Sequence, residues 1–140
     1  MGSFQLLYPR AVAFNALQNL KKHLHVGGKL ILDLFVPWDA LDKDNEEEFT
    51  EKEVHVPDGG VIKHHSHNRS NKYEQYCHSD STYTKTVNDK VVASEQEEMY
   101  LCWYYRYEME LILEKYGFKN VVYKEAFFRN ESHMMFFAEN

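Results

Sequence analysis

Leu30-Ile31-Leu32-Asp33-Leu34-Phe35-Val36 is apolar at every position but one, and this run limits the folds open to the chain more than any other feature. A strand with one wet face alternates apolar and polar side chains. A strand apolar at successive positions is built to be covered on both faces, which happens inside a parallel α/β sheet flanked by helices. The preceding residues fit that reading. Ala13, Ala16, Leu17, Leu20 and Leu24 recur at helical spacing, and Pro9 suits a first helical turn, where its missing N–H costs nothing. Lys21, Lys22 and His23 place positive charge near the helix C-terminus. Gly27-Gly28 then ends the helix, because glycine accepts the left-handed conformation needed there.

The middle of the chain has another character. Polar, alternating stretches at about Glu51–Val56, Val61–Asn68, Tyr73–Thr84 and Val91–Leu101 follow an acidic loop from Asp39 to Glu48. Pro57-Asp58-Gly59-Gly60 and Asn88-Asp89 are turn signals between them. These stretches are predicted to form antiparallel hairpins with one face in water. The last part returns to the first style. Met109, Ile112, Leu113 and Tyr116 make a helical stripe ended by Gly117, and Phe118 behind it is predicted to touch Leu113 in a Schellman cap. Two strands, about Asn120–Phe127 and His133–Ala138, close a hairpin across Arg129-Asn130-Glu131-Ser132. The expected organisation is therefore residues 1–36 and 104–140 as an α/β core, with residues 37–103 as an inserted antiparallel sheet.

Charge and cysteine usage narrow the function. The net charge is −6 with no Lys or Arg stripe, which argues against phosphate-driven nucleic-acid binding. Cys77 and Cys102 are far apart without metal-type spacing, as expected of reduced thiols. No apolar run is long enough to span a bilayer and no signal peptide is visible, so a cytoplasmic protein without a membrane partner is expected.

The order helix, Gly-Gly, buried strand, helix, Gly-Phe, hairpin resembles the C-terminal half of a class I S-adenosylmethionine-dependent methyltransferase. Leu24-His25-Val26-Gly27-Gly28-Lys29-Leu30 is similar to that family's L-x-P-G-G-x-L phrase, with valine at the usual proline. Ile112-Leu113-Glu114-Lys115-Tyr116-Gly117-Phe118 is similar to its L-L-x-x-x-G-F phrase. Gly2-Ser3-Phe4 resembles a loop that borders the methyl-transfer site in one branch of the family. The resemblance implies a Rossmann-like sheet, with its last strand antiparallel to the rest, and an accessory sheet on the substrate side. It also implies methyl transfer from S-adenosylmethionine to a small-molecule acceptor. The family's Gly-rich cofactor loop and ribose-binding acid have no counterpart in these 140 residues. The chain alone is therefore not expected to bind the cofactor in the family's manner. It is expected to work with a missing N-terminal half or as a homo-oligomer, a homodimer being the simplest.

Site residues follow from the same resemblance. Ser3 and Phe4 would border the cofactor and Gln5 the acceptor. Phe35 and Trp38 lie at the carboxyl edge of the buried strand, where open α/β sheets bind ligands. Trp103, Tyr104 and Arg106 would stand near the site mouth, where aromatic faces attract a cationic amine or sulfonium. Each aromatic also has an ordinary place in a core. Two other functions stay open: a non-catalytic assembly or ligand-binding module, and a metal protein built on His65 and His67 with His55 or His78. For the histidines, an exposed polar strand face is an equally good account, and no metal is expected.

Overall fold

The computed structural model describes residues 2–38, 41, 47–125 and 133–140. The chain forms two compact units, one of residues 1–40 and 101–140 and the other of residues 41–100. Among the described residues no helix is long and apolar enough to cross a membrane.

The first unit opens with a 3-10 turn, Ser3–Leu6, followed by helix α1, Arg10–His23. Pro9 is the N-cap of α1 rather than its first turn. Ala13 and Leu17 of the predicted stripe are fully buried, while Leu20 remains 40% exposed. Strand β1, Lys29–Phe35, pairs antiparallel with β7, His133–Glu139, in unbroken register from Lys29↔Glu139 to Phe35↔His133. Strand β6, Lys119–Glu125, lies on the other side of β7, giving the order β1-β7-β6. Both neighbours run antiparallel to β7, so β1 and β6 run parallel to one another.

One expectation for β1 needs correcting. Leu30, Leu32, Leu34 and Val36 are buried, but Ile31 is 55% exposed and Asp33 and Phe35 are half-buried. The described residues cover only one face of this strand. Among the described strands it pairs with β7 alone, so it stands at the sheet's edge. The apolar run is real, but the cover for its second face does not come from the described residues.

Helix α2, Arg106–Lys115, buries Met109 and Leu113. It ends in the predicted Schellman cap: Phe118 N–H donates to the Leu113 carbonyl at 3.0 Å and Gly117 N–H to that of Glu114 at 2.8 Å. Gly117 has φ +83°, the conformation that makes glycine the fitting residue there.

The second unit carries a four-stranded antiparallel sheet in the order β2-β3-β4-β5. Its strands are β2 Glu48–His55, β3 Val61–Asn71, β4 Tyr76–Val87 and β5 Lys90–Cys102, the last continuing into the first unit. The turn at Pro57–Gly60 closes through Val56 N–H to Gly60 O at 2.9 Å. Asn88 and Asp89 both have positive φ, as a two-residue hairpin turn requires. Tyr73, predicted on a strand, sits instead in a turn at 93% exposure. Asn71 Oδ1 accepts from Glu74 N–H at 3.0 Å and starts that turn. The hairpin turn predicted at Arg129–Ser132 and most of the predicted acidic loop lie outside the described residues, although Glu48 opens β2.

Candidate functional site

The carboxyl end of β1 gathers the N-terminal turn, the start of β7 and the Cys102–Tyr105 segment. Gln5 joins three of these pieces. Its Nε2 donates to the carbonyls of Phe35 and Cys102, both at 2.8 Å, and its Oε1 accepts from Phe35 N–H at 2.9 Å. Gln5 is fully buried, and these bonds satisfy backbone groups that would otherwise be stranded in the interior. Its amide is committed to the backbone. Gly2 sits against β1: a Cβ there would lie 2.6 Å from the Asp33 carbonyl oxygen and 2.6 Å from Gln5 Oε1. Close approach of the turn to β1 is what this glycine permits.

The other predicted residues divide into buried and open groups. Phe4 is buried and its ring packs 5.6 Å from that of Tyr104. Trp103 and Tyr104 are also fully buried, so they build the core beneath the carboxyl end of β1 and present no open face. Trp103 Nε1 and Tyr104 Oη are without a hydrogen-bond partner among the described residues. Burial pushes the Tyr104 phenol up to about 12; the Arg10 charge pulls the other way. Ser3, by contrast, is exposed at the start of the turn. Trp38 and Tyr105 are 48% and 42% exposed, with ring centroids 6.2 Å apart. Arg106 donates from Nε to Glu110 at 3.1 Å, which raises its pKa, and its guanidinium lies 4.2 Å from the Tyr123 ring centroid. That arginine is occupied on its own helix face.

Three contributors were not apparent from the sequence. Arg10 pairs with Glu108 at 2.5 Å, donates to the Trp103 carbonyl at 3.1 Å and covers the Tyr104 ring at 4.7 Å. Glu108 in turn accepts from Tyr105 N–H at 3.1 Å, the return bond of a capping box. A glutamate at the third helical position was the available signal. The third contributor is His133, whose Nδ1 lies 3.3 Å from Asp33 Oδ1 and whose ring faces Phe35 at 5.7 Å.

The histidines of the second unit do not converge as the metal reading required. His65 lies opposite Glu51, His67 stacks on Phe49 at 4.3 Å, and His55 is 3.6 Å from Glu53. Among the described residues the one group spaced for a metal is His78, Asp80 and Glu98, and only His78 belonged to the predicted set. Arg69 also donates to His78 Nδ1 at 2.9 Å and to Asp80 at 2.8 Å. The Arg69 guanidinium already occupies His78 Nδ1 and offsets one of the cluster's two carboxylate charges.

By sequence the chain matches no protein-family model and no curated protein. Its fold is similar to several solved structures. One is an S-adenosylmethionine-dependent methyltransferase from Clostridium acetobutylicum, at TM-score 0.72 and 10% identity, with 99% of this chain covering 55% of that one. Another is the sugar N-methyltransferase KedS8 from Streptoalloteichus, at TM-score 0.70 and 15% identity, with 99% of this chain covering 53% of that one. A third is CalS10 of Micromonospora echinaspora, an amino pentose methyltransferase bound to S-adenosylmethionine, at TM-score 0.62 and 14% identity, with 100% covering 56%. The chain therefore has the fold of an S-adenosylmethionine-dependent methyltransferase over about half of that fold's length.

Proposed function

We propose that this chain contributes the acceptor side of a methyltransferase that moves a methyl group from S-adenosylmethionine to a small molecule. The observation that carries the reading is the similarity along nearly the whole chain, at TM-score 0.72, to an enzyme of that class. Two of the similar structures act on sugars, one a sugar N-methyltransferase and the other an amino pentose methyltransferase. An amine-bearing sugar is accordingly the acceptor we favour.

The residues present do not make a cofactor cradle by themselves. Such a cradle needs glycines at a turn from strand into helix, where backbone approaches the ligand. Gly27 and Gly28 follow a helix, Gly59 and Gly60 close a hairpin, and Gly117 caps α2. Gly2 and Ser3 supply one border at most. The remaining contacts would come from polypeptide outside these 140 residues, either the family's N-terminal half or a second chain.

The test has two arms. Calorimetric titration of the 140-residue chain with S-adenosylmethionine at millimolar concentration should give no saturable heat. The protein purified from its own cells, with whatever polypeptide accompanies it, should transfer labelled methyl to a small amine. A micromolar dissociation constant from the chain alone would overturn the shared-site reading. Absence of transfer from the native material to a broad amine panel would overturn the function.

A further inference from the structure

We infer that His133, oriented by Asp33, is the general base that takes the acceptor's proton at the carboxyl end of β1. The inference rests on the methyl-transfer reading above and adds to it a named group with a named task.

Register places the pair. His133 lies directly opposite Phe35, and Met135 opposite Asp33. Directly opposed residues share a face, as do residues two apart on one strand. His133, Phe35 and Asp33 therefore stand together on the face of β1 that is only partly covered. The Nδ1 to Oδ1 distance is 3.3 Å. This is long for a tight hydrogen bond but within what such pairs show before ligand binds. An ionised carboxylate can only accept, so the hydrogen belongs on Nδ1, and Nε2 keeps its lone pair. Among the described residues Nε2 has no hydrogen-bond partner, and the side chain is 24% exposed.

His78 shows what a structural histidine looks like in the same protein. Its side chain is 11% exposed, Nδ1 accepts from Arg69 and Nε2 meets Glu98 at 2.9 Å. Both of its nitrogens are used. His133 differs in having one nitrogen fixed and the other open, the arrangement a base requires.

Its place in the fold supports the same role. Ligands of open α/β sheets bind beyond the carboxyl ends of strands, and His133 stands at that end of β1. Gly2 brings the N-terminal turn against the carbonyl of Asp33 itself. The charged groups on this face are Lys29 and Asp33 on β1, Glu139 on β7, and Lys119 and Lys124 on β6; Lys29 and Glu139 pair with each other at 3.8 Å at the far end of the sheet. Lys124 is opposite Met135, with its ammonium 5.3 Å from the Phe137 ring centroid.

The chemistry balances on the proton alone. A protonated amine has no lone pair to offer a methyl group. His133 Nε2 takes the proton: the acceptor N–H bond breaks, an Nε2–H bond forms, and the electron pair stays on the acceptor nitrogen. The Asp33 carboxylate offsets the imidazolium charge, and the proton leaves to water afterwards. An alcohol acceptor would give up its proton to the same atom.

Long-range proton–nitrogen NMR of the 140-residue chain tests the geometry without any activity. With His133 identified by its loss in His133→Gln, the neutral ring should show the Nδ1–H tautomer with Nε2 unprotonated. Asp33→Asn should weaken that preference. A dominant Nε2–H tautomer in the wild type would overturn the base assignment. A second arm uses the native, methyl-transferring material with an amine acceptor. His133→Gln should lower kcat about 10²–10⁴-fold, with the acceptor KM and Tm little changed, and Asp33→Asn should fall between. An active wild type with a fully active His133→Gln variant would overturn the base while leaving methyl transfer intact. An inactive wild type would overturn methyl transfer and the base together, and the NMR result would then report the pair's geometry alone.

Discussion

The amide of Gln5 stands where three backbone groups would otherwise be buried without partners: the N–H and carbonyl of Phe35 and the carbonyl of Cys102. Leaving buried polar groups unsatisfied costs about 1–3 kcal/mol each, partly relieved when water or neighbours adjust. Gln5→Leu is therefore expected to lower stability by about 3 kcal/mol, read from the urea midpoint at constant slope. A change below about 0.5 kcal/mol, the range of ordinary surface substitutions, would show that the clamp is dispensable. Sequence could not reveal this task, because Gln5 reaches partners 30 and 97 positions away. The resemblance suggested an acceptor contact at a residue the fold uses as a joint. Trp103 and Tyr104 failed to resolve for a related reason. An aromatic run at a strand-helix junction reads equally as core or cleft, and only the packing of Phe4 against Tyr104 decides. Phe35 and Trp38 keep some open surface, so the acceptor side of the proposal rests on them and on His133, while the exposed Ser3 stays with the cofactor border.

Elements whose ends are written in local sequence were legible; those finished by distant residues were not. Gly117-Phe118 announces its own cap, and the hairpin turns at Gly59 and Asn88-Asp89 announce theirs. Helix α1 ends differently. Asn140 Nδ2 donates to the carbonyls of Lys21 at 3.2 Å and Leu24 at 2.7 Å. Its backbone also pairs with Gly27 and Gly28 at 3.1 and 3.0 Å. Carbonyls of a last helical turn have no partner within the helix, so a residue more than a hundred positions on completes this one. Asn140→Ala should cost about 1 kcal/mol, the usual net value of such bonds, and should speed hydrogen exchange in the Gly27-Gly28 amides. Unaltered exchange there would mean that the backbone pairing suffices without the side chain. Lys21 makes a second long-range tie, donating to the Gly117 carbonyl, with its ammonium 5.3 Å from the Phe118 ring centroid.

At the scale of the whole molecule, the least satisfied feature is the one that first constrained the fold. Residues Leu30 to Val36 carry apolar side chains for two covered faces, and the described residues cover one. Ile31 remains 55% exposed, and Met135 and Phe137 on the same face, away from the carboxyl end of β1, are half-buried. The edge of β1 away from β7 has no partner among the described strands. On α1, Val12 and Leu20 are 43% and 40% exposed. An unpaired strand edge is a template for another chain, and large contiguous apolar patches are uncommon on soluble monomers. The similar solved chains extend well beyond the part matched here, and polypeptide of that kind is one source of cover. For the 140-residue chain by itself, a second copy is the available source, and a twofold pair is the simplest closed arrangement. Hiding on the order of 600 Å² of apolar surface offers roughly 15 kcal/mol at about 25 cal/mol per Å². Association costs of about 4–15 kcal/mol oppose it, so the balance favours a dimer of modest affinity. Light scattering on a sizing column at tens of micromolar should therefore return a dimer or larger species, and Ile31→Lys at the exposed centre of β1 should shift it toward monomer. A monodisperse wild-type monomer would mean that this face tolerates water, and the case for a covering partner would lose its physical basis.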